Sequence, residues 1–259
     1  MGIFMDMESF LDQDRFDMVI QPIVDLRNGC TFTGEALARL NHPEHGNIPV
    51  DVVIATVDAM ELYTKFDLYI FRKCCIWLSR AVQEGKRFDC LSCNFSRKTL
   101  SHPGIVREMI LIADSYAVAY HTLGIEITEW KRETNLQQIT ENLWELKKAG
   151  FRILLDDYGS GVTTENDLHH FPLDTVKLDQ SMLMNVDTEK GSTAFRTLVA
   201  QLTRMGMEVV CEGIETEAQS ILAREAGCHY GQGFLYFPPI PQDMVSELVA
   251  TIEPGKIAI

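Results

Sequence analysis

Side-chain parity along a series of short apolar segments constrains this chain more than any other feature. DMVIQPIVDL (17–26), TFTGEALARL (31–40), CLSCNFS (90–96), LGIEITE (123–129), FRILLDDY (151–158), DTVKLDQ (174–180), EVVCEGIE (208–215) and YGQGFLYF (230–237) all read as strands. Helical stretches separate most of them. They fall near 51–60 and 64–84, ahead of residue 123, and near 216–226 and 241–251. Leu136, Ile139, Leu143 and Leu146 share one helical face closed by Gly150, and Phe195, Leu198, Val199, Leu202 and Met205 share another ended by Gly206. Asn28-Gly29 between the first two strands is a short-hairpin signal, so these two run antiparallel. Eight strands joined mainly by helices in 259 residues predict one α/β domain over 1–259, core about 10–250. Its fold class is a (β/α)8 TIM-like barrel with an antiparallel first strand.

Strand residues point alternately to opposite faces, so parity sorts them. Thr33 and Glu35 share a face, as do Ser92, Asn94 and Ser96, Glu126 and Thr128, and Lys177 and Asp179. The opposite parity is apolar: Leu91, Cys93 and Phe95, Ile125 and Ile127, Val176 and Leu178, Val209 and Cys211. The apolar set packs on helices, leaving Glu35, Asn94, Glu126, Asp156, Lys177, Asp179, Glu212 and Gln232 to line the barrel. Such interiors are ordinarily filled with branched apolar side chains. Lys177 can neutralise one or two of these acids but not all. Converging carboxylates then require cations, and oxygen ligands suit Mg2+ or Mn2+. The adjacent acids in RILLDDYGSG, Asp156 and Asp157, end an apolar strand for this reason.

A net charge of −14 argues against a nucleic-acid polymer bound through a basic face. An anionic phosphate substrate would need its positive charge from elsewhere. No apolar run has the length of a membrane span and no secretory leader is recognisable, so a cytoplasmic location without membrane insertion is expected. Seven cysteines, several within apolar segments, read as buried thiols, and Cys90 and Cys93 read as strand filling. His169-His170 reads as solvated linker, His42, His45 and His229 as structural or exposed, Met182 and Met184 as packing, and PPIP (238–241) as the lead-in to the last helix.

QPIVDL, GEALARL, NFS, IEITE, DDYGSG, VKLD, CEGIET and GQGF occur here in the order that resembles the EAL domain family of cyclic di-GMP phosphodiesterases. The resemblance spans about residues 10–250. It implies metal-dependent hydrolysis of cyclic di-GMP to linear pGpG in bacterial second-messenger signalling, with two Mg2+ or Mn2+ ions. By resemblance Glu35, Asn94, Glu126 and Asp156 hold one ion, and Asp156, Asp157 and Glu212 the other. Lys177 orients or polarises the attacking water and Asp179 supports it, while Glu212 and Lys177 remain alternatives for the general base. Gln21, Arg39, Glu215 and Gln232 resemble substrate contacts, and Glu129 resembles the anchor of the loop after Asp157. A homodimer and a sensor or GGDEF partner domain outside this sequence are family expectations.

Several positions depart from the family pattern. Leu40 stands where Trp is usual, Val57 and Met60 replace a Glu and a Gly, VTTEND replaces YSSL after DDYGSG, and Gln180 replaces Arg. None is an expected metal ligand, so the changes bear on affinity, dimer coupling and regulation. The alternative from another class is a catalytically impaired EAL-type domain that serves as a cyclic di-GMP receptor or protein-interaction module.

Overall fold

The turn after the first strand sets the topology. Gly29 adopts a left-handed backbone (φ 73) and donates to Asp25 O at 2.8 Å, while the Arg27 guanidinium grips the Asp25 carboxylate. The computed structural model describes residues 2–29, 33–42, 46–128, 135–160, 165–184 and 186–251. Strands β1 (Phe16–Asp25) and β2 (Thr33–His42) pair antiparallel, with Gln21 opposite Glu35. A short β3 (Gly46–Ile48) extends β2, and α1 (Gly2–Asp12), α2 (Val50–Ala59) and α3 (Tyr63–Gln83) cover this side. There follow β4 (Cys90–Ser96), α4 (Arg97–Leu100), α5 (Ile105–Ser115), β5 (Leu123–Thr128), α6 (Leu136–Ala149), β6 (Arg152–Tyr158), α7 (Glu165–His170) and β7 (Thr175–Leu178). The chain continues through α8 (Glu189–Arg204), β8 (Glu208–Cys211), α9 (Glu217–Ala226), β9 (Tyr230–Gly231), β10 (Ile240–Pro241) and α10 (Gln242–Thr251).

The ring runs β1–β2–β4–β5–β6–β7–β8–β9 and back to β1. Strands β2 to β9 around the ring are parallel, and β1 opposes both its neighbours. This is a closed eight-stranded α/β barrel with an antiparallel first strand. The outward parity is as the alternation requires: Leu91, Cys93, Phe95, Ile125, Ile127, Ile153, Leu155, Val176, Leu178 and Val209 are fully buried beneath the helices. Ile139, Leu143 and Leu146 of α6 and Phe195, Val199 and Leu202 of α8 face them. Each such side chain contributes about 1.5–3 kcal/mol of burial. The six described cysteines are unbridged and buried.

Inside the barrel, Gly124 of β5 sits on the inward parity. A Cβ there would lie 2.7 Å from Ser92 Cβ and 2.9 Å from Leu154 Cδ1, so only glycine lets this floor close beneath the polar layer.

The structure departs from the sequence expectation at several elements. β8 ends at Cys211 and β9 is two residues long, where strands over 208–215 and 230–237 were expected. Gly213, at φ 65, breaks the extended backbone, and the chain beyond both strands forms mouth loops. PPIP is more than a lead-in, since Ile240 and Pro241 pair with Ile20 and Val19 of β1. α1, not among the elements expected from the sequence, buries Met7, Phe10 and Leu11. The left-handed turn after α2 falls on Glu61 (φ 54) and not on Met60, so Glu61 occupies the place a glycine would favour.

Candidate metal centre and active site

The inward polar residues meet at the C-terminal mouth of the parallel strands. Glu35 comes from β2, Asn94 from β4, Glu126 from β5, Asp156 from β6 and Lys177 from β7, while Glu212 and Gln232 follow β8 and β9. Lys177 is 1% exposed, and its Nζ lies 2.9 Å from Glu35 Oε2, 2.9 Å from Glu126 Oε2, 3.0 Å from Asp156 Oδ1 and 2.8 Å from Glu212 Oε1. The sequence expectation that Lys177 serves one or two acids is therefore too low: it reaches four. Asn94 Nδ2 donates to Glu35 Oε1 at 2.9 Å, Gln232 Nε2 donates to Glu35 Oε2 at 2.9 Å, and Ser92 Oγ donates to Glu126.

Asp157 reaches this mouth by a different route. Neighbouring strand residues point to opposite faces, so parity alone would send Asp157 away from Asp156. The β6–β7 register shifts between Leu155 and Tyr158, and Asp157 takes a left-handed backbone (φ 51). A bulge of this kind re-aims a side chain, and a non-glycine residue in that conformation is strained, as residues at functional sites often are. The result is two overlapping triads, Glu35–Glu126–Asp156 and Asp156–Asp157–Glu212. Within each, one oxygen per residue lies within 4.8 Å of the others.

The electrostatics are lopsided, with five carboxylates and one ammonium. Burial, then Glu35, pushes Glu126 up to about 8 against the pull of Lys177. Burial and Asp156 push Asp157 up to about 6. Burial holds Glu212 well above the carboxylate range and also raises Asp156, with Lys177 opposing in both cases. Burial acts to raise Glu35 too, but Lys177, Gln232 and Asn94 outweigh it and hold this carboxyl low. Burial would lower Lys177, yet Asp156, Glu126, Glu212 and Glu35 outweigh it and keep the ammonium charged. Without cations the cluster must hold protons near neutrality.

Hard cations fit these residues. Besides the triads, Asn94 Oδ1 is a buried carbonyl oxygen with no hydrogen-bond partner beside Glu35. A buried acceptor left unpaired is costly, and an ion is one way to satisfy it.

The remaining expected residues divide. Gln21 accepts from Gln232 Nε2 at 3.1 Å, and with Glu212, Glu215 and Phe234 these two line a cavity of about 160 Å³. Gln232 thus contacts Glu35 as well as facing that cavity. A larger cavity of about 400 Å³ lies on the other side, where Leu37, Val50, Ile54 and Tyr63 approach Asn94 and Asp157. Arg39 is not among the residues lining either cavity; its Nη1 donates to Ala38 O at 2.8 Å, and burial lowers its pKa. Asp179 caps the 3-10 turn Gln180–Leu183 by accepting from Ser181 N at 2.9 Å, and no ion pair joins it to Lys177 among the described residues. Glu129, His45 and residues 162–164 of the altered loop lie outside the described residues.

Sequence reasoning missed Ser92 as a partner of Glu126, although it shares the inward parity of β4. It also missed Asp67, a buried carboxyl in α3 that accepts from Ser96 N at 2.9 Å and Thr99 Oγ1 at 2.6 Å. Burial pushes Asp67 up to about 6. An acid within the apolar stretch FDLYIF was the available signal.

The family model for the EAL domain matches residues 6–239. The chain belongs to the EAL domain family. It is 26% identical over 245 residues to the cyclic di-GMP phosphodiesterase NbdA of Pseudomonas aeruginosa, covering 94% of this chain and 31% of NbdA. To the cyclic di-GMP phosphodiesterase RocR of the same organism it is 27% identical over 233 residues, covering 90% of this chain and 59% of RocR. This EAL domain therefore spans less than two thirds of either relative. The fold also matches the EAL enzyme Bd1971 in its cAMP- and cyclic-di-GMP-bound form, with a TM-score of 0.87 and 22% identity over 96% of this chain and 68% of that one. No helix among the described residues is long and apolar enough to cross a membrane.

Proposed function

We propose that this EAL domain hydrolyses cyclic di-GMP to linear pGpG with two divalent cations, Mg2+ or Mn2+. The observation that carries the reading is the pair of carboxylate triads sharing Asp156. Glu35, Asn94, Glu126 and Asp156 would hold one ion, and Asp156, Asp157 and Glu212 the other. When bound, such a pair would polarise the phosphodiester and lower the pKa of a water beside it toward neutrality.

The chain's own groups have separable tasks. Lys177, held by four acids, would supply positive charge near the developing charge on phosphorus oxygens. Glu212 and Lys177 remain alternatives for the group that accepts a proton from water. The two cavities flank the acids, one sharing Asn94 and Asp157 and the other Glu212 and Gln232, as suits a ligand with a base on either side of a phosphodiester. Gln21, Glu215 and Gln232 would contact the substrate in the smaller cavity. Arg39 would have to turn away from Ala38 O to do so.

The test is turnover of cyclic di-GMP by the purified chain with Mg2+, Mn2+ or Ca2+, beside Glu35→Ala. Formation of pGpG with Mg2+ or Mn2+, weak activity with Ca2+ and loss in the variant are expected, since Ca2+ prefers looser, higher coordination. Tight cyclic di-GMP binding with no pGpG under any ion would replace this reading with the receptor.

A further inference from the structure

Arg97 and Asp167 belong to neither triad, yet they form a nearly buried bidentate ion pair. Arg97 Nη1 donates to Asp167 Oδ1 at 3.2 Å and Nη2 to Oδ2 at 3.1 Å, with the side chains 11% and 8% exposed. The guanidinium carbon lies 5.4 Å from the centre of the Phe171 ring. Charges taken out of water this far are stable only when geometry and hydrogen bonding are good, and the planar fork fixes orientation as well as distance.

The pair joins two parts of the mouth that the sheet leaves independent. Arg97 opens α4, three residues after Asn94. The start of α4 is itself fixed, because Ser96 Oγ accepts from Thr99 N at 3.1 Å and Asp67 accepts from Ser96 N. Asp167 lies in α7, on the crossover from β6 to β7, ten residues after Asp157 and ten before Lys177. Glu35 and Glu126 stand on regular strands, which hold their directions, and Asp156 keeps the inward parity of β6. Asp157 stands on a register shift in a left-handed conformation, so the β6–β7 ladder does not orient it.

We propose that the Arg97–Asp167 pair is a positioning element that fixes the Asp157-bearing crossover against the end of β4, and so sets the affinity of the Asp156–Asp157–Glu212 site for its cation. The Glu35–Glu126–Asp156 site is independent of it. This rests on the reading above that both triads take divalent cations.

The experiment is calorimetric titration of the full chain with Mn2+, read without substrate, with a melting curve for each protein. The wild type is expected to bind in two steps. Asp167→Asn, and the double variant Arg97→Met/Asp167→Leu that removes both charges of the pair, should keep one step and weaken the other by about tenfold or more, as loss of a group supporting a metal ligand does. If Asp167→Asn fails to fold, the double variant decides. Two steps within about twofold of wild type in that variant would overturn the proposal, as would equal weakening of both. A wild type that binds no Mn2+ would instead remove the metal reading itself.

Discussion

At the N-terminal mouth of the barrel Arg152 faces Glu208 at 3.9 Å, Tyr230 donates to the same carboxylate at 3.1 Å, and Arg27 grips Asp25. At the C-terminal mouth one ammonium serves four carboxylates. The same side-chain types thus reach opposite states on one scaffold. Below, Arg27 outweighs burial and holds Asp25 low, so its acid is charged and satisfied. Above, burial outweighs Lys177 at Glu126, Asp156 and Glu212, so the charged form of these acids is disfavoured. A balanced mouth is finished as folded. An over-acidic one is a site awaiting positive charge, and this difference, more than the presence of acids, marks the functional end.

The largest effect expected from breaking that asymmetry is at Lys177. Lys177→Met should lower turnover by roughly 10²–10⁴-fold at saturating Mn2+, since on the proposed reading it removes positive charge beside the reacting phosphate. Kinetics within about tenfold of wild type would mean that the ammonium serves only to steady the acids.

Next in size is the response to ions. A saturating excess of Mn2+, near a hundred times its dissociation constant, should stabilise the folded chain by about 2.7 kcal/mol per site. The rise in melting temperature should survive Glu208→Gln at the lower mouth and shrink in Glu126→Gln at the upper one. Equal shifts in both variants would contradict the contrast between the mouths.

Asp67 sharpens the comparison with an acid just outside the cluster. Its folded pKa is raised from 3.8 to about 6, chiefly by burial. The stabilising contribution is thus complete below 3.8 and lost as pH rises through 6. Asp67→Asn, which keeps an acceptor for Ser96 N and Thr99 Oγ1, should melt about 5 °C above wild type at pH 7.5 and lose that advantage near pH 4. A pH-independent difference in melting curves would refute the assignment.

The smallest effect belongs to the lower mouth. Arg152 and Glu208 are each about a third exposed and 3.9 Å apart, so Glu208→Gln should cost about 1 kcal/mol or less and leave turnover unchanged. Urea unfolding and the turnover assay together check this.

Glu35, Asn94, Glu126, Asp156 and Lys177 could be placed together from the sequence because each lies on the inward parity of a strand, where the two-residue period of side-chain direction is a property of the backbone itself. The hairpin at Asn28-Gly29 and the α6 face ending at Gly150 were legible for the same reason: each is a local preference of a few neighbouring residues. Asp157 was legible only as the neighbour of Asp156, since parity points it the wrong way and the bulge that turns it inward is not readable from local sequence. The short β8 and β9, the pairing of β10 with β1, and the burial of Asp67 were not legible, because each depends on contacts made far along the chain.

The sequence by itself therefore determined the alternation of strands and helices, the barrel, and the acidic character of one face. Tertiary structure alone decided how many acids share Lys177, that a register shift turns Asp157 toward Asp156, and that Arg97 meets Asp167 across seventy residues. The physical reason is one of range. Side-chain period and turn preference act over a few residues, whereas carboxylate protonation, ion pairing and the aim of a side chain off a bulge depend on what distant segments bring within a few ångströms.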